Sequence, residues 1–243
     1  MRIPRVYTER PLSEGAQCLL EAHPSRHLLR VLRLRPPAPL RLFDGRGREH
    51  EARLDGIQGD AARVTVGAPL AALPEPPLRP HLLLGISKGE RMDLALQKAT
   101  ELGVARVTPL WTERAVVRLR GERLERRQEH WRAILIGACE QSGRRDLPRL
   151  DAPRPLAGAL GLELGPTRLL LHHRAADTLA GLGRPGRAPV LLIGPEGGLA
   201  EQERRAARDA GFTAIRLGPR ILRTETAPLA ALAAMQALWG DFR

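Results

Sequence analysis

Asparagine is absent from this chain of 243 residues, lysine occurs only at Lys88 and Lys98, and cysteine only at Cys18 and Cys139. Two cysteines exclude a disulfide framework and a cysteine-based zinc site. No apolar run approaches the ~20 residues that a membrane helix needs. The opening Met-Arg-Ile-Pro-Arg-Val-Tyr lacks an apolar stretch of signal-peptide length. These absences predict a soluble cytoplasmic protein with no membrane partner. Aromatic side chains are also scarce (Trp 3, Tyr 1, Phe 3), which leaves few platforms for stacked bases.

Arginine fills the place of lysine. Lys+Arg total 39 against 27 Asp+Glu, a formal net charge of +12. Such a surplus predicts an anionic partner, nucleic acid first. Codon usage also favours arginine, and thermal adaptation also removes asparagine, so composition alone does not name the partner. The apolar share of 43% and charged share of 27% are those of a globular chain.

Residues 72–80, Ala-Leu-Pro-Glu-Pro-Pro-Leu-Arg-Pro, read as a linker, because four prolines in nine residues run through neither a helix nor a central strand. Residues 1–71 read as a small β-barrel. Leu40–Phe43 alternates, Asp44-Gly45 supplies a turn, and Glu49–Leu54 and Ala62–Val66 are further short strands. A helical stretch is expected near Ser13–Ala22. In residues 81–243 apolar runs of strand length alternate with helices: Leu82–Ile86, Val104–Leu110, Arg168–His172, Val190–Ile193 and Ala214–Leu217. This is the pattern of a buried parallel sheet in an α/β domain. Ser87-Lys88-Gly89-Glu90 predicts a capping box ahead of a helix ending at Gly103. Further helices are predicted over 122–141, 201–210 and 226–239.

Two loops carry candidate chemistry. Ile193-Gly194-Pro195-Glu196-Gly197-Gly198 joins a buried strand to a helix, where glycines admit a ligand close to the backbone. The spacing matches neither a dinucleotide fingerprint nor a Walker loop. Leu217-Gly218-Pro219-Arg220-Ile221-Leu222-Arg223-Thr224-Glu225-Thr226-Ala227 is unusually long and polar for a strand-to-helix connection. Thr224 or Thr226 capping the last helix, and Arg223 pairing with Glu225, are its plain structural readings. With His172-His173 ending another strand, the loops would wall one pocket at the carboxyl edge of the sheet. No carboxylate or cysteine stands at a ligand spacing to these histidines, so no metal is expected.

The two loops together resemble the RsmE family, ribosomal RNA small-subunit uracil N3-methyltransferases of the SPOUT superfamily. Gln97–Gly103, Glu140-Gln141-Ser142-Gly143-Arg144, His27–Arg33 and Leu42-Phe43-Asp44-Gly45 resemble further family blocks, in order along nearly the whole chain. The chain departs from the family at Ala38-Pro39, usually Gly-Asp, and at Leu199, often aromatic.

The resemblance implies a SPOUT-type α/β domain with a C-terminal trefoil knot, a PUA-like N-terminal barrel, and a homodimer. It implies S-adenosylmethionine as cofactor, held by Leu171, His172, Ile193, Gly194, Pro195, Glu196, Gly197, Gly198, Leu217, Gly218, Ile221, Leu222, Arg223, Thr224, Thr226 and Ala227. The implied substrate is N3 of one uridine in 16S ribosomal RNA, naked or in the assembled small subunit. Arg223, Glu225 and Glu196 are the candidate catalytic groups: the arginine to stabilise the uracil anion, a carboxylate to orient or accept a proton. RNA-contact candidates are Arg2, Arg5, Arg10, Arg26, Arg30 and Arg33 in the first domain, and Arg114, Arg118, Arg144 and Arg145 in the second. The rival readings are a ribose 2′-O methyltransferase of the same superfamily and a non-catalytic RNA-binding protein.

Overall fold

The computed structural model describes residues 3–115 and 120–242. The chain folds as two units, Met1–Pro74 with Cys139–Leu147, and Glu75–Ala138 with Pro148–Arg243. The first boundary falls inside the proline-rich stretch, and residues 72–80 lie in no helix or strand. The return of Cys139–Leu147 to the first unit has no signal in the sequence.

The first unit is a five-stranded sheet. Its elements are β1 (Arg5–Tyr7), β2 (Gln17–Leu19), the short helix α1 (Ala22–Arg26), β3 (Ala38–Phe43), β4 (Glu49–Gln58) and β5 (Ala61–Pro69). The strand order is β1-β3-β4-β5-β2. β3, β4 and β5 form an antiparallel meander, and register shifts between His50 and Ala52 and between Leu54 and Gly56 bend β4. The first turn is fixed by Asp44, whose Oδ1 accepts the Arg46 amide at 2.8 Å, with Gly45 at φ 72°. Alternate residues Leu40, Leu42, Ala52, Leu54, Val64 and Val66 fill the core with Leu12, Leu20 and Leu28. The helix expected near Ser13–Ala22 is not there. Gln17–Leu19 pairs antiparallel with Arg63–Thr65, and helix begins only at Ala22. Gly15 at φ 81° breaks any helix at that point, and the open edge of β5 captures the next residues.

A buried ion cluster ties Cys139–Leu147 into this unit. Glu49, 3% exposed, accepts from Arg5 Nε at 2.7 Å and from Arg145 Nε at 2.5 Å. Arg5 also donates to the carbonyls of Cys139 (2.8 Å) and Arg144 (3.1 Å), and its guanidinium lies 4.7 Å from the Phe43 ring centroid. Burial pushes the Glu49 carboxyl up, but the two guanidinium groups outweigh it and hold the group below its ordinary range.

The second unit is the expected α/β domain. It comprises β6 (His81–Gly85), α2 (Glu90–Glu101), β7 (Arg106–Trp111), α3 (Glu122–Ser142, its last turn in the first unit), β8 (Arg149–Leu150), β9 (Arg154–Pro155), α4 (Leu156–Leu160), β10 (Arg168–Leu171), β11 (Asp177–Thr178), β12 (Val190–Ile193), α5 (Glu201–Asp209), β13 (Thr213–Arg216) and α6 (Thr226–Trp239). The sheet runs β11-β13-β10-β12-β6-β7-β8, with β9 on β7, and every pairing is parallel. β6 and β12 are buried along their whole length. That is why they read as continuous apolar runs. α2 buries Met92, Ala95, Leu96 and Ala99 at helical spacing and stops before Gly103, φ 87°. The predicted capping box is not formed: Gly89 is the N-cap, and no side chain bonds to it. Ser87 is turned inward instead, towards Thr224. No helix among the described residues is long and apolar enough to cross a membrane.

Candidate active site

A parallel sheet places all its strand carboxyl ends on one edge, and the loops leaving them must build whatever site the domain has. Here three such loops surround one cleft of about 590 Å³. β10 delivers Leu170, Leu171, His172 and His173; β12 delivers Ile193 and the loop Gly194–Leu199; β13 delivers Arg216, Leu217 and the loop residues Arg220–Glu225, with Ala227 behind them. Arg91, Arg114 and Arg204 complete the wall. Of the residues that the resemblance assigned to the cofactor, all line this cleft except Gly218 and Thr226.

The loop geometry follows from its small residues. A Cβ on Gly85 would overlap the Pro195 nitrogen, so the end of β6 touches this loop only because residue 85 is glycine. A Cβ on Gly194 would meet the Leu199 nitrogen at 2.9 Å. Gly198, at φ 65°, closes the turn by donating to the Pro195 carbonyl at 2.8 Å.

The second loop is pinned by Thr224, 7% exposed. Its hydroxyl bonds to the Gly194 carbonyl at 3.2 Å and to Ser87 Oγ at 3.1 Å. The chain after β13 therefore crosses the ends of β10 and β12 to reach the end of β6 before α6 begins. Neither Thr224 nor Thr226 caps α6; Glu225 is the N-cap residue, without a side-chain cap bond.

The charged groups divide into held and free. Glu196 accepts from the Lys88 amide at 3.1 Å and from Arg91 at 3.2 Å. Desolvation raises its pKa, but its own amide, that of Lys88 and Arg91 together bring it below its ordinary range. Arg114 donates to the Gly197 carbonyl at 3.1 Å, Arg216 to that of Ala175 at 2.6 Å, and Arg204 pairs with Glu201. Arg223 is 81% exposed, its nearest acid being Glu225 at 4.0 Å. Glu225 is 13% exposed, and its Oε2 is buried with no hydrogen-bond partner among the described residues. The His172 and His173 rings stand 5.0 Å apart, and burial, with Arg204 and His173 next, keeps His172 below its ordinary pKa.

The RNA-contact candidates fare unevenly. Arg10, Arg26, Arg30, Arg33 and Arg114 are exposed. Arg30 pairs with exposed Asp60 at 2.8 Å. Arg5 and Arg145 are corrected: their side chains are 7% and 10% exposed and committed to Glu49, so they are structural cations. Arg144 is half-buried. Arg2 and Arg118 lie outside the described residues. Sequence reasoning misses Ser87, Arg91 and Arg220 in the second unit. The first two lie beyond β6, and only the fold brings them to the loops. Arg220 sits inside the quoted loop, where its charge is the available signal.

A parallel α/β domain with its cleft at the strand ends, in a chain that also carries a separate small β unit, fits an RNA methyltransferase, and the family comparisons make that class plain. A family model described as an RNA methyltransferase domain matches residues 74–236, and one described as an RNA methyltransferase PUA domain matches residues 20–67. The chain belongs to the ribosomal RNA small subunit methyltransferase E family. It is 30% identical to the Buchnera aphidicola (Acyrthosiphon pisum) member, over 100% of this chain and 96% of that one. The fold matches that of the Neisseria gonorrhoeae member crystallised with S-adenosyl methionine, with TM-score 0.92, 43% identity and full coverage of both chains. It also matches a putative methyltransferase of Legionella pneumophila in complex with S-adenosyl methionine, with TM-score 0.96, 37% identity and full coverage of both chains.

Proposed function

We propose that this protein is a cytoplasmic, S-adenosylmethionine-dependent methyltransferase acting on N3 of a single uridine in 16S ribosomal RNA of the small subunit. The observation that carries this reading is the cleft of about 590 Å³ formed by the three strand-end loops. The residues present fit the cofactor. A Cβ on Gly198 would meet nothing within 4 Å, so the loop backbone is open there, and the buried Glu225 Oε2 is left without a partner among the described residues. Leu171, His172, the Gly194–Gly198 backbone, Ile221, Leu222 and Ala227 would hold it. When bound, S-adenosylmethionine supplies an electrophilic methyl group on a sulfonium centre.

The protein's own groups then have distinct tasks. Alignment of the base against the methyl donor supplies much of the acceleration. Arg223, exposed and held only by a long 4.0 Å ion pair to Glu225, stabilises negative charge on the uracil as N3 loses its proton. Glu225 is the better proton acceptor of the two candidate carboxylates, since Glu196 is already held by Arg91 and the Lys88 amide. A base paired through N3 must leave its stack to be reached.

The path of residues 217–225 across the strand ends supports the trefoil knot of the family. α6 supports a homodimer. Its outer residues Leu229, Ala230, Ala233, Ala234, Ala237 and Leu238 are wholly apolar yet partly or fully exposed. An apolar face on a charged protein indicates a partner surface.

The test is methylation of small ribosomal subunits, and of naked 16S RNA, from a strain lacking this enzyme, using labelled cofactor and mapping of the modified nucleotide. Label on a uracil base at one position is the expected result. Label on a ribose, which protects the neighbouring linkage from alkali, or no transfer to either substrate, overturns the reading.

A further inference from the structure

Among the described residues of the first unit Ile3, Val31, Leu32, Ile57 and Leu73 are exposed apolar side chains, and the adjacent pair Val31-Leu32 stands in the most basic segment. No acidic residue occurs between Glu21 and Asp44, while arginine stands at 26, 30, 33, 35 and 41. Within that stretch His27–Val31 forms a π-helical turn, a feature that recurs at functional sites. Leu28 is fully buried, and Leu29 and Leu34 pack against the core. Leu34 donates its amide to the Leu28 carbonyl at 3.0 Å, so the two ends of the turn are fastened together. Val31 and Leu32, between those anchors, point the other way: they are 64% and 40% exposed. The next residue, Arg33, is at φ 53°, the only positive φ of a non-glycine residue among the described ones. A bulky side chain is rarely found there, and such backbone persists where the surroundings or a task enforce it.

We infer that Val31 and Leu32 form an apolar wedge that enters folded RNA beside an unpaired base, while Arg26, Arg30, Arg33 and Arg35 hold the flanking phosphates. Charge decides the occupant: Arg26, Arg33 and Arg35 are exposed in the segment that carries the small apolar tip, and Arg30 is held only by a solvent-exposed pair with Asp60, so the segment complements a polyanion with exposed base faces. Apolar side chains acting as wedges between base steps are a known device of nucleic-acid binding, and the arginines supply the position. Large aromatic platforms are scarce in this unit. Its only tyrosine and phenylalanine, Tyr7 and Phe43, pack edge-to-face on one another at 5.7 Å, and it has no tryptophan. The wedge rests on the proposed RNA substrate and adds to it the feature recognised, a helix interrupted by an unpaired nucleotide.

The test compares an RNA hairpin carrying one bulged nucleotide, with 2-aminopurine beside the bulge, to a fully paired hairpin of equal length. The full-length protein is expected to prefer the bulged RNA by roughly tenfold and to raise 2-aminopurine fluorescence through unstacking. V31S/L32S is expected to lose both effects while keeping its melting temperature, its S-adenosylmethionine affinity and the salt slope of RNA binding. V31L/L32M, which restores an apolar tip, is expected to regain the preference. Bulge preference intact in V31S/L32S overturns the wedge. So does equal binding of both hairpins by the unaltered protein. So does a changed sedimentation coefficient in V31S/L32S, which would assign the tip to a contact between copies. Loss of the wedge with subunit methylation intact leaves the proposed function standing. Absence of all methylation and RNA binding in the unaltered protein removes both.

Discussion

Arg223 and Glu225 stand two positions apart on one loop in opposite surroundings, one 81% and the other 13% exposed. Exposure makes Arg223 replaceable without cost to the fold. R223A is therefore expected to slow single-turnover methylation at saturating RNA by roughly 10²-fold, the scale of losing one charge-stabilising donor. Its melting temperature should be unchanged. E225Q is expected to slow single-turnover transfer by roughly 10²-fold or more, the scale of losing a positioned proton acceptor. E196Q should chiefly weaken the loop's hold on Arg91.

Buried titratable groups, among them His81 and Glu49, shape stability against acid. His81 accepts or donates a hydrogen bond to Thr108 at 2.8 Å, and Thr108 bonds in turn to Asp151. Burial first, and Arg106 next, lower the His81 pKa from 6.5 to about 4. A folded-state pKa below the unfolded one means that the unfolded chain binds the proton more tightly. Stability is then complete above pH 6.5 and falls as pH drops towards 4, by up to roughly 3 kcal/mol. H81Q should flatten that part of a melting-temperature profile. Glu49 acts in the same direction, since its lowered pKa makes its contribution fade as the carboxylate is protonated. E49Q leaves Arg5 and Arg145 buried without their counter-charge and is expected to cost about 3–5 kcal/mol in urea denaturation.

At the scale of elements, the site depends on how closely strand ends and loops approach. G85A would drive a methyl group into the Pro195 backbone, so S-adenosylmethionine affinity by calorimetry should fall at least tenfold, with a lower melting temperature. G158A in α4 is the control: a Cβ there meets nothing within 4 Å, and alanine should be neutral or slightly stabilising. This scale also separates what is legible in the sequence from what is not. β12 and α6 are found at the predicted residues because one is apolar throughout and the other is a long helix-forming run. β8, β9 and β11 have two residues each and carry no periodicity. β2 escapes sequence reasoning because a three-residue edge strand owes its form to the partner it pairs with. The cleft loops stand out by composition. Their fastening through Thr224 to Ser87 and Gly194 does not, since these residues are 30 or more positions apart. Arg5 and Arg145 resemble RNA contacts in the sequence because composition marks a cation without showing its burial.

For the whole molecule the charge of +12 acts through the arginines that remain free after such internal pairing. RNA affinity should fall on the order of 10³-fold between ~50 and ~200 mM salt if about six phosphates are contacted. A flat response, measured by filter binding, would remove the phosphate-dominated interface. The apolar outer face of α6 is tested by sedimentation: L238E should shift the particle to the mass of one chain.

The grouping of Cys139–Leu147 with residues 1–74 has a consequence for synthesis. Glu49 and Arg5 are made early, but the second guanidinium of their cluster arrives only with Arg145. At ~5–20 residues per second the nascent chain waits roughly four to fifteen seconds, plus passage through the exit tunnel, before its first unit is complete. Meanwhile the Glu49 carboxylate has only one of its two guanidinium partners. The amino-terminal unit of this protein therefore closes only after much of the following domain has emerged, so its two halves mature together rather than in order of translation.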